Sequence, residues 1–442
     1  MAFAGLLAWC SGCGTCGGGA SSDASPIDGD DATVAAGDSG ASEPEPPRVE
    51  ETIARAIVSS HPAVIYAAPD RESRKVGVLR WGAVFEVSDR RGEGDESWVR
   101  MKGVGWVESK LVKTNSRGEP KLGFVPVAPD LKSALPYRYV RVTAEDGVPV
   151  YRRPPRKSQD PEKLVLRRLK AGYYFTLDKY VNMREGYHFK EMYRSTRYWF
   201  VPREGTDVVS PAPFGGIEVT DDTELPFLWV TDPTALLCPT MELPPADAGP
   251  EPCAPAVRLK RYPFVQRVEG AGIWYRTSGG QYLASTQVAF VDRIERRPRE
   301  AGPQERWIHV DLRNQFAALY EGDRMTYVTL ISSGDDEHET PAGTYRIESK
   351  HITTTMDNEE DVTTAYFIQD VPWVMYFKGA YGLHGAFWHD RFGLRTSHGC
   401  VNLAPGDAQR FFEFASSPEI PEGWHGVYTP PGVKGTLVHI TE

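Results

Sequence analysis

Positive charge is the first thing this chain lacks. No Lys or Arg precedes Arg48, and over all 442 residues 50 Lys and Arg stand against 60 Asp and Glu, a formal net charge of -10. The acidic residues are spread along the whole chain, so there is no basic face for a phosphate backbone and no nucleic-acid partner is expected. Cysteine is scarce too. Its six residues fall into three groups: Cys10, Cys13 and Cys16 in a Gly/Ser-rich start, Cys238 and Cys253 around a Pro-rich loop, and Cys400 alone. Against these shortages stand 42 Gly, 35 Pro, 11 Trp and 20 Tyr, with 40% apolar and 25% charged residues. That balance is the one of a soluble globular protein built from short strands and turns, long enough for about three or four units.

The apolar run Met1 to Trp9 is short, and Cys10 or Cys13 follows at once. Residues 1–20 resemble a bacterial lipoprotein signal whose cysteine is acylated after cleavage, although the positive n-region is missing and Trp9 is bulky. The resemblance implies an exported protein of the periplasm or cell envelope, held to a membrane through a lipid on Cys10 or Cys13. The alternative is a Gly-rich start with no address. Residues 21–51 are Gly, Ser, Ala, Asp, Glu and Pro with almost nothing to bury, so a disordered linker is expected there. Cys238 and Cys253 fit a disulfide and an oxidising compartment, but spacing alone leaves two unpaired thiols open.

From 52 to 114 short β-type runs alternate with turn signals. A Tyr66 to Pro69 opening, Gly82 before a hydrophobic strand, Trp98 opening a strand and a Gly105-Trp106-Val107 close resemble a bacterial SH3-like barrel. Fragments of the pattern recur. Tyr151 to Pro154 repeats the opening, Gly172 to Leu177 repeats the strand after the glycine, and Trp274, Tyr282 and Ser285 keep the mutual spacing of Trp98, Trp106 and Ser109. Two further diverged modules are therefore expected at 137–225 and 226–296. They are candidates for a platform that binds cell wall, or equally for spacers, since Trp and Tyr in such modules more often pack a core.

After an Arg- and Pro-rich linker the final segment, 304–442, opens as a β-meander. Ile308, Val310 and Leu312 alternate with His309 and Asp311, the chain turns at Arg313-Asn314, returns through Phe316 to Tyr320, turns again at Glu321-Gly322-Asp323 and runs on from Tyr327 to Ile331. The expected class is mainly β, with small barrels followed by a β-rich C-terminal domain carrying one or two short helices. Ala408, Phe411, Phe412 and Ala415 recur at helical spacing after Pro405, which places one helix behind Cys400.

The chemistry gathers at Ser397-His398-Gly399-Cys400-Val401-Asn402, with His384 a short loop upstream. A thiol near an imidazole is the equipment of nucleophilic cysteine catalysis, in which a base removes the thiol proton and later returns it. Gly399 leaves room for a substrate carbonyl, and N–H groups from Gly399 to Val401 are suited to an oxyanion. His398 and Ser397 are expected to shape the loop. Trp373, Tyr376, Trp388 and His389 are candidate groove aromatics, with Asn402 at the same site. Three other readings stay open. Cys400 can be an inert buried thiol. His384, His398 and Cys400 can ligate zinc, although no second close Cys or His pair accompanies them. The acidic runs Asp335 to Glu339 and Asp357 to Asp361 can hold a cation, although a solvated loop is the simpler reading, and the second run can belong to a flap over the site.

The meander, the Thr340 to Tyr345 turn, the run Pro372 to Phe377, Leu383-His384-Gly385 and the Cys400 motif, in that order, resemble the catalytic domain of the L,D-transpeptidases, of YkuD type, from about Gln304 to Ser417. Asn402 stands where a large branch of that family has Arg, and the gap from His384 to Ser397 is shorter than in many members. The resemblance implies Cys400 as nucleophile, His384 as base and acid, Gly399 and Cys400 as oxyanion site, and Tyr376, Trp388 and Asn402 at the substrate. It implies peptidoglycan stem peptides as partners, carbapenem-type β-lactams as covalent inhibitors, and neither a metal nor an organic cofactor. The competing functions are an L,D-carboxypeptidase or hydrolase on the same acyl-enzyme, a wall-binding structural lipoprotein with weak catalysis, and a general cysteine peptidase.

Overall fold

Two sheets and one helix at the C-terminal end form the block against which the rest is packed. The computed structural model describes residues 50–442 apart from 61, 246–251, 271 and 359–365, so the expected signal, nearly all of the expected linker and most of the second acidic run lie outside the described residues. The first sheet contains β1 (Arg306–Asp311), β2 (Phe316–Glu321) and β3 (Arg324–Leu330), the meander that the alternating pattern announces. Asp311 fixes its first turn by accepting the Asn314 backbone N–H at 2.8 Å and side-chain N–H at 3.0 Å. Strand β4 (Gly343–Arg346) pairs with β10 (Leu437–Thr441), which runs parallel to β1, so that β4 forms one edge of the sheet.

The second sheet takes β5 (Ser349–Asp357), β6 (Phe367–Lys378), β7 (Tyr381–Gly385), β8 (Val401–Leu403) and β9 (Trp424–Tyr428). Strand β6 lies between β5 and β7, β8 runs parallel to β7, and β9 flanks β5. Helix α1 (Pro405–Phe414) follows β8 directly, with Pro405 at its first turn, where a missing N–H costs nothing. Its Ala408, Phe411 and Phe412 join Ile308, Leu319, Met375, Leu383 and Val401 in one core, so the helix is clamped between both sheets. Lys350 of β5 donates to the carbonyls of Phe412 and Ala415 and places a cation at the negative end of the helix.

Residues 54–115 form a small barrel that fits an SH3-like module. Its first strand, Ala54–Val58, pairs with Val84–Arg91 and Val112–Asn115; Ala63–Tyr66 pairs with Lys75–Leu79 and touches Gly105–Glu108. The same pairing recurs in 138–208, where Arg138–Val142 pairs with Tyr174–Asn182 and Thr206–Val208. It recurs again in 227–291, where Phe227–Val230 pairs with Arg261–Gly270 and Val288–Val291. Trp98 and Trp274 occupy equivalent strands, and Ser109 and Ser285 each begin a 3-10 turn. Cys238 and Cys253 are joined as a disulfide in the third barrel.

The barrels are not beads on a string. Lys75–Leu79 pairs with β9, aligning Gly77 with Val427 and Leu79 with Trp424. Tyr174 of the second barrel bridges to Ile368 of β6, and Phe227, Trp229 and Val291 of the third share a core with Trp307, Phe316 and Tyr320. Ile217–Glu218, expected in the tail of the second module, instead pairs with β3 and becomes an edge of the C-terminal sheet.

Candidate active site

Strands β7 and β8 set the site. They run parallel with Leu383 opposite Val401 and His384 opposite Asn402. Paired residues in a parallel ladder leave the sheet on one face, and positions i and i+2 share that face. Leu383, Val401 and Leu403 therefore enter the core, while His384, Asn402 and Cys400 face a groove of about 580 Å³ on the other side.

Cys400 sits on the turn before β8. Gly399 there has φ +104°, and a Cβ would lie 2.7 Å from the Tyr381 ring, so glycine is required on both counts. Ser397 Oγ accepts the Gly399 N–H at 3.1 Å and donates to the Cys400 carbonyl at 2.5 Å. Thr340 Oγ1 donates to the Gly399 carbonyl at 2.8 Å and accepts the Gly334 N–H at 2.9 Å. These bonds hold the turn from inside and tie it to the loop after β3.

The sulfur lies 3.6 Å from the Ala380 carbonyl oxygen and receives the Gly382 N–H. The residue is partly accessible, yet its sulfur sits low in the groove, where burial pushes the thiol pKa up and the Gly382 N–H only partly offsets this. His384 is buried, and that burial pushes its pKa down to about 4. Its Nδ1 lies 3.4 Å from the Gly385 carbonyl, and its ring stacks on Trp388 with centroids 5.8 Å apart. With the Nδ1 proton directed at that carbonyl, Nε2 keeps its lone pair. At neutral pH the site therefore holds a protonated thiol beside a neutral imidazole.

Most of the residues singled out in the sequence come together here. Cys400, His384, Ser397, His398, Tyr376, Trp388, His389 and Asn402 all line the groove, and the Asn402 amide lies 3.0 Å from His389 Nε2. Two expectations need correcting. The Gly399 N–H does not face an oxyanion, because the Ser397 hydroxyl takes it. Trp373 does not line the groove; it is buried in the core, with its Nε1 donating to the Ala134 carbonyl at 2.7 Å.

His398 is exposed and packs its ring against His338 and Tyr366, at 4.7 and 5.7 Å between centroids, and not with His384 around a shared ion. Among the described residues no group of three or more His, Cys, Asp or Glu is placed to hold a metal. Asp335, in the first acidic run, accepts the N–H groups of Glu337 and His338 and closes its own turn. Sequence reasoning missed Thr340 as an anchor, Gly382 as a donor to the sulfur, Arg391 on the groove wall, and Gly172 and Tyr174 contributed by the second barrel. The Thr340 and Gly382 segments were visible as motifs, but nothing in the sequence links positions 172 and 174 to Cys400.

Residues 305–440 match the YkuD family model, the L,D-transpeptidase catalytic domain. Among solved structures, the chain is similar to an L,D-transpeptidase of Enterococcus faecium, at 24% identity over 31% of this chain and 50% of that one, with a TM-score of 0.24. It is similar also to the catalytic domain of the E. faecium L,D-transpeptidase determined by NMR, at 26% identity over 31% and 98% of the two chains, TM-score 0.25. An L,D-transpeptidase from Mycobacterium smegmatis aligns at 16% identity over 57% of this chain and 90% of that one, TM-score 0.26. This chain spans about half the length of the first of these structures. No curated protein matches it.

Proposed function

We propose that the protein is a peptidoglycan L,D-transpeptidase acting through a Cys400 thioester. The observation that carries this reading is the shared face of Cys400 and His384 in one groove, within a segment that matches the L,D-transpeptidase catalytic domain. His384 Nε2 takes the thiol proton as the sulfur attacks the carbonyl of the L-centre of a diaminopimelate-type residue in a tetrapeptide stem. The Cys400 N–H, left over once Ser397 has taken the Gly399 N–H, is the donor for the oxyanion. The tetrahedral adduct collapses, the bond to the terminal D-Ala breaks, and the leaving amine receives the proton from His384. An amine of a second stem or of a protein then attacks the thioester and the thiol is restored.

Arg391 lines the groove, is exposed, and has no ion pair among the described residues, which suits it to a stem carboxylate. The Cys238–Cys253 disulfide fits an exported protein working in an oxidising compartment, in keeping with lipid anchoring through Cys10 or Cys13. Carbapenem-type β-lactams are expected to acylate Cys400. The test is incubation of the full chain with a disaccharide-tetrapeptide, products being followed by mass spectrometry beside a Cys400→Ala control. Cross-linked dimers with free D-Ala support transfer, and tripeptide alone turns the reading into an L,D-carboxypeptidase. Absence of both turnover and covalent adduct overturns it.

A further inference from the structure

We propose that the second barrel is a fixed wall of the Cys400 groove, and that Gly172 and Tyr174 contact the peptide that binds there; the identity of that peptide rests on the function proposed above. Both residues belong to the barrel of 138–208, yet both line the cavity that holds Cys400, His384 and Asn402. The position is built, not incidental. Tyr174 bridges to Ile368 of β6, and its ring meets Phe387 edge-on at 5.6 Å between centroids. Tyr139 stacks on the same Phe387 at 3.8 Å. Phe387 in turn meets Trp388, the residue stacked on His384, so rings run unbroken from the barrel to the base.

A buried polar seam locks the contact from behind. Asp370 of β6 accepts Thr176 Oγ1 at 3.0 Å and Arg197 Nη2 at 3.3 Å through its carboxylate, and Tyr139 OH at 2.6 Å through its carbonyl. Breaking such a seam leaves buried donors without partners, so the wall stands in place before any substrate arrives. Gly172, at φ +81°, has no atom within 4 Å of where a Cβ would lie. The space in front of it is open groove. A preformed aromatic wall of this kind contributes to binding in both the ground state and the transition state, and hence to substrate selection more than to the bond-making step.

The test uses the full chain. Gly172→Asn adds a side chain at a backbone position that Asn tolerates, and Tyr174→Leu keeps the apolar contact while removing the ring. In both variants KM for release of D-Ala from a disaccharide-tetrapeptide should rise about tenfold, while acylation by a carbapenem, which occupies far less of the groove, slows by less than about threefold. In parallel, calorimetric Kd for the same tetrapeptide is measured on Cys400→Ala protein with and without Gly172→Asn, and should rise about tenfold. KM and Kd within about twofold of the parent overturn the proposal, as does a fall in kcat and carbapenem acylation together at unchanged KM, which marks the barrel as a prop for His384 alone. If the parent releases no D-Ala, the reaction reading fails, while the Kd pair still decides the wall. No binding to the Cys400→Ala parent overturns both.

Discussion

At the scale of single residues, burial acts in opposite directions on Cys400 and His384. It pushes the Cys400 thiol up, because thiolate is the charged form, and the His384 imidazole down to about 4, because imidazolium is the charged form. The resting site is thus a neutral pair, and under the proposed mechanism the proton moves only as the sulfur attacks. A base must be unprotonated to work, so acylation by a carbapenem should hold level from about pH 8 down to about pH 5 and fall as pH drops through about 4. The check is a pH–rate profile followed by mass; an acid limb with its midpoint near 6.5, the ordinary histidine value, would exclude His384 as the base. That Cys400 and His384 share one groove could be anticipated, because the motif order is dense around them. The destination of the Gly399 N–H was not, since a sequence does not show which acceptor reaches an amide first, and here the nearby Ser397 hydroxyl does.

At the scale of elements, the turn that carries Cys400 is only as steady as the helix that follows it. Asp407 in the first turn of α1 is buried, and its carboxylate accepts the Tyr327 hydroxyl at 2.6 Å, the Gly216 N–H at 2.9 Å and the Thr329 hydroxyl. One side chain thereby ties α1 to β3 and to the segment between the second and third barrels. Asp407→Ala leaves two buried donors and the half-buried Gly216 N–H without partners and should destabilise the fold by about 3 kcal/mol or more, whereas Asp407→Asn, which keeps an acceptor oxygen, should cost roughly half of that. Thermal or denaturant unfolding of the two variants checks the ranking; equal stabilities would show that the carboxylate is not the tie. The helix itself could be read from Pro405 and the apolar spacing behind it. The tie could not, because an Asp in a first helical turn is ordinary for reasons of the helix dipole alone.

At the scale of the whole molecule, the recurrence behind the repeated strand pairing is visible in the sequence, but the attachment of these strands to the C-terminal sheets is not. A strand that pairs with a neighbouring domain carries the same alternation as one that faces water, and Lys75–Leu79 shows burial only towards its end. What distinguishes it is Gly77. The Trp424 ring of β9 lies across this glycine, where a Cβ would come within 2.2 Å of the indole, and Trp424 and Val427 complete the core of the first barrel with Ile65, Leu79 and Phe85. The barrel therefore lacks part of its own core unless β9 is in place, and the two should melt together. Gly77→Leu forces the indole out and adds overpacking worth about 1–3 kcal/mol. Calorimetry of the parent should show the first barrel unfolding within the main transition, and the variant should release a separate endotherm at lower temperature. A single transition at the parental temperature in Gly77→Leu would mean that the ladder between Lys75–Leu79 and β9 contributes nothing to holding the barrel, and that it rides on the C-terminal domain through its chain connection alone.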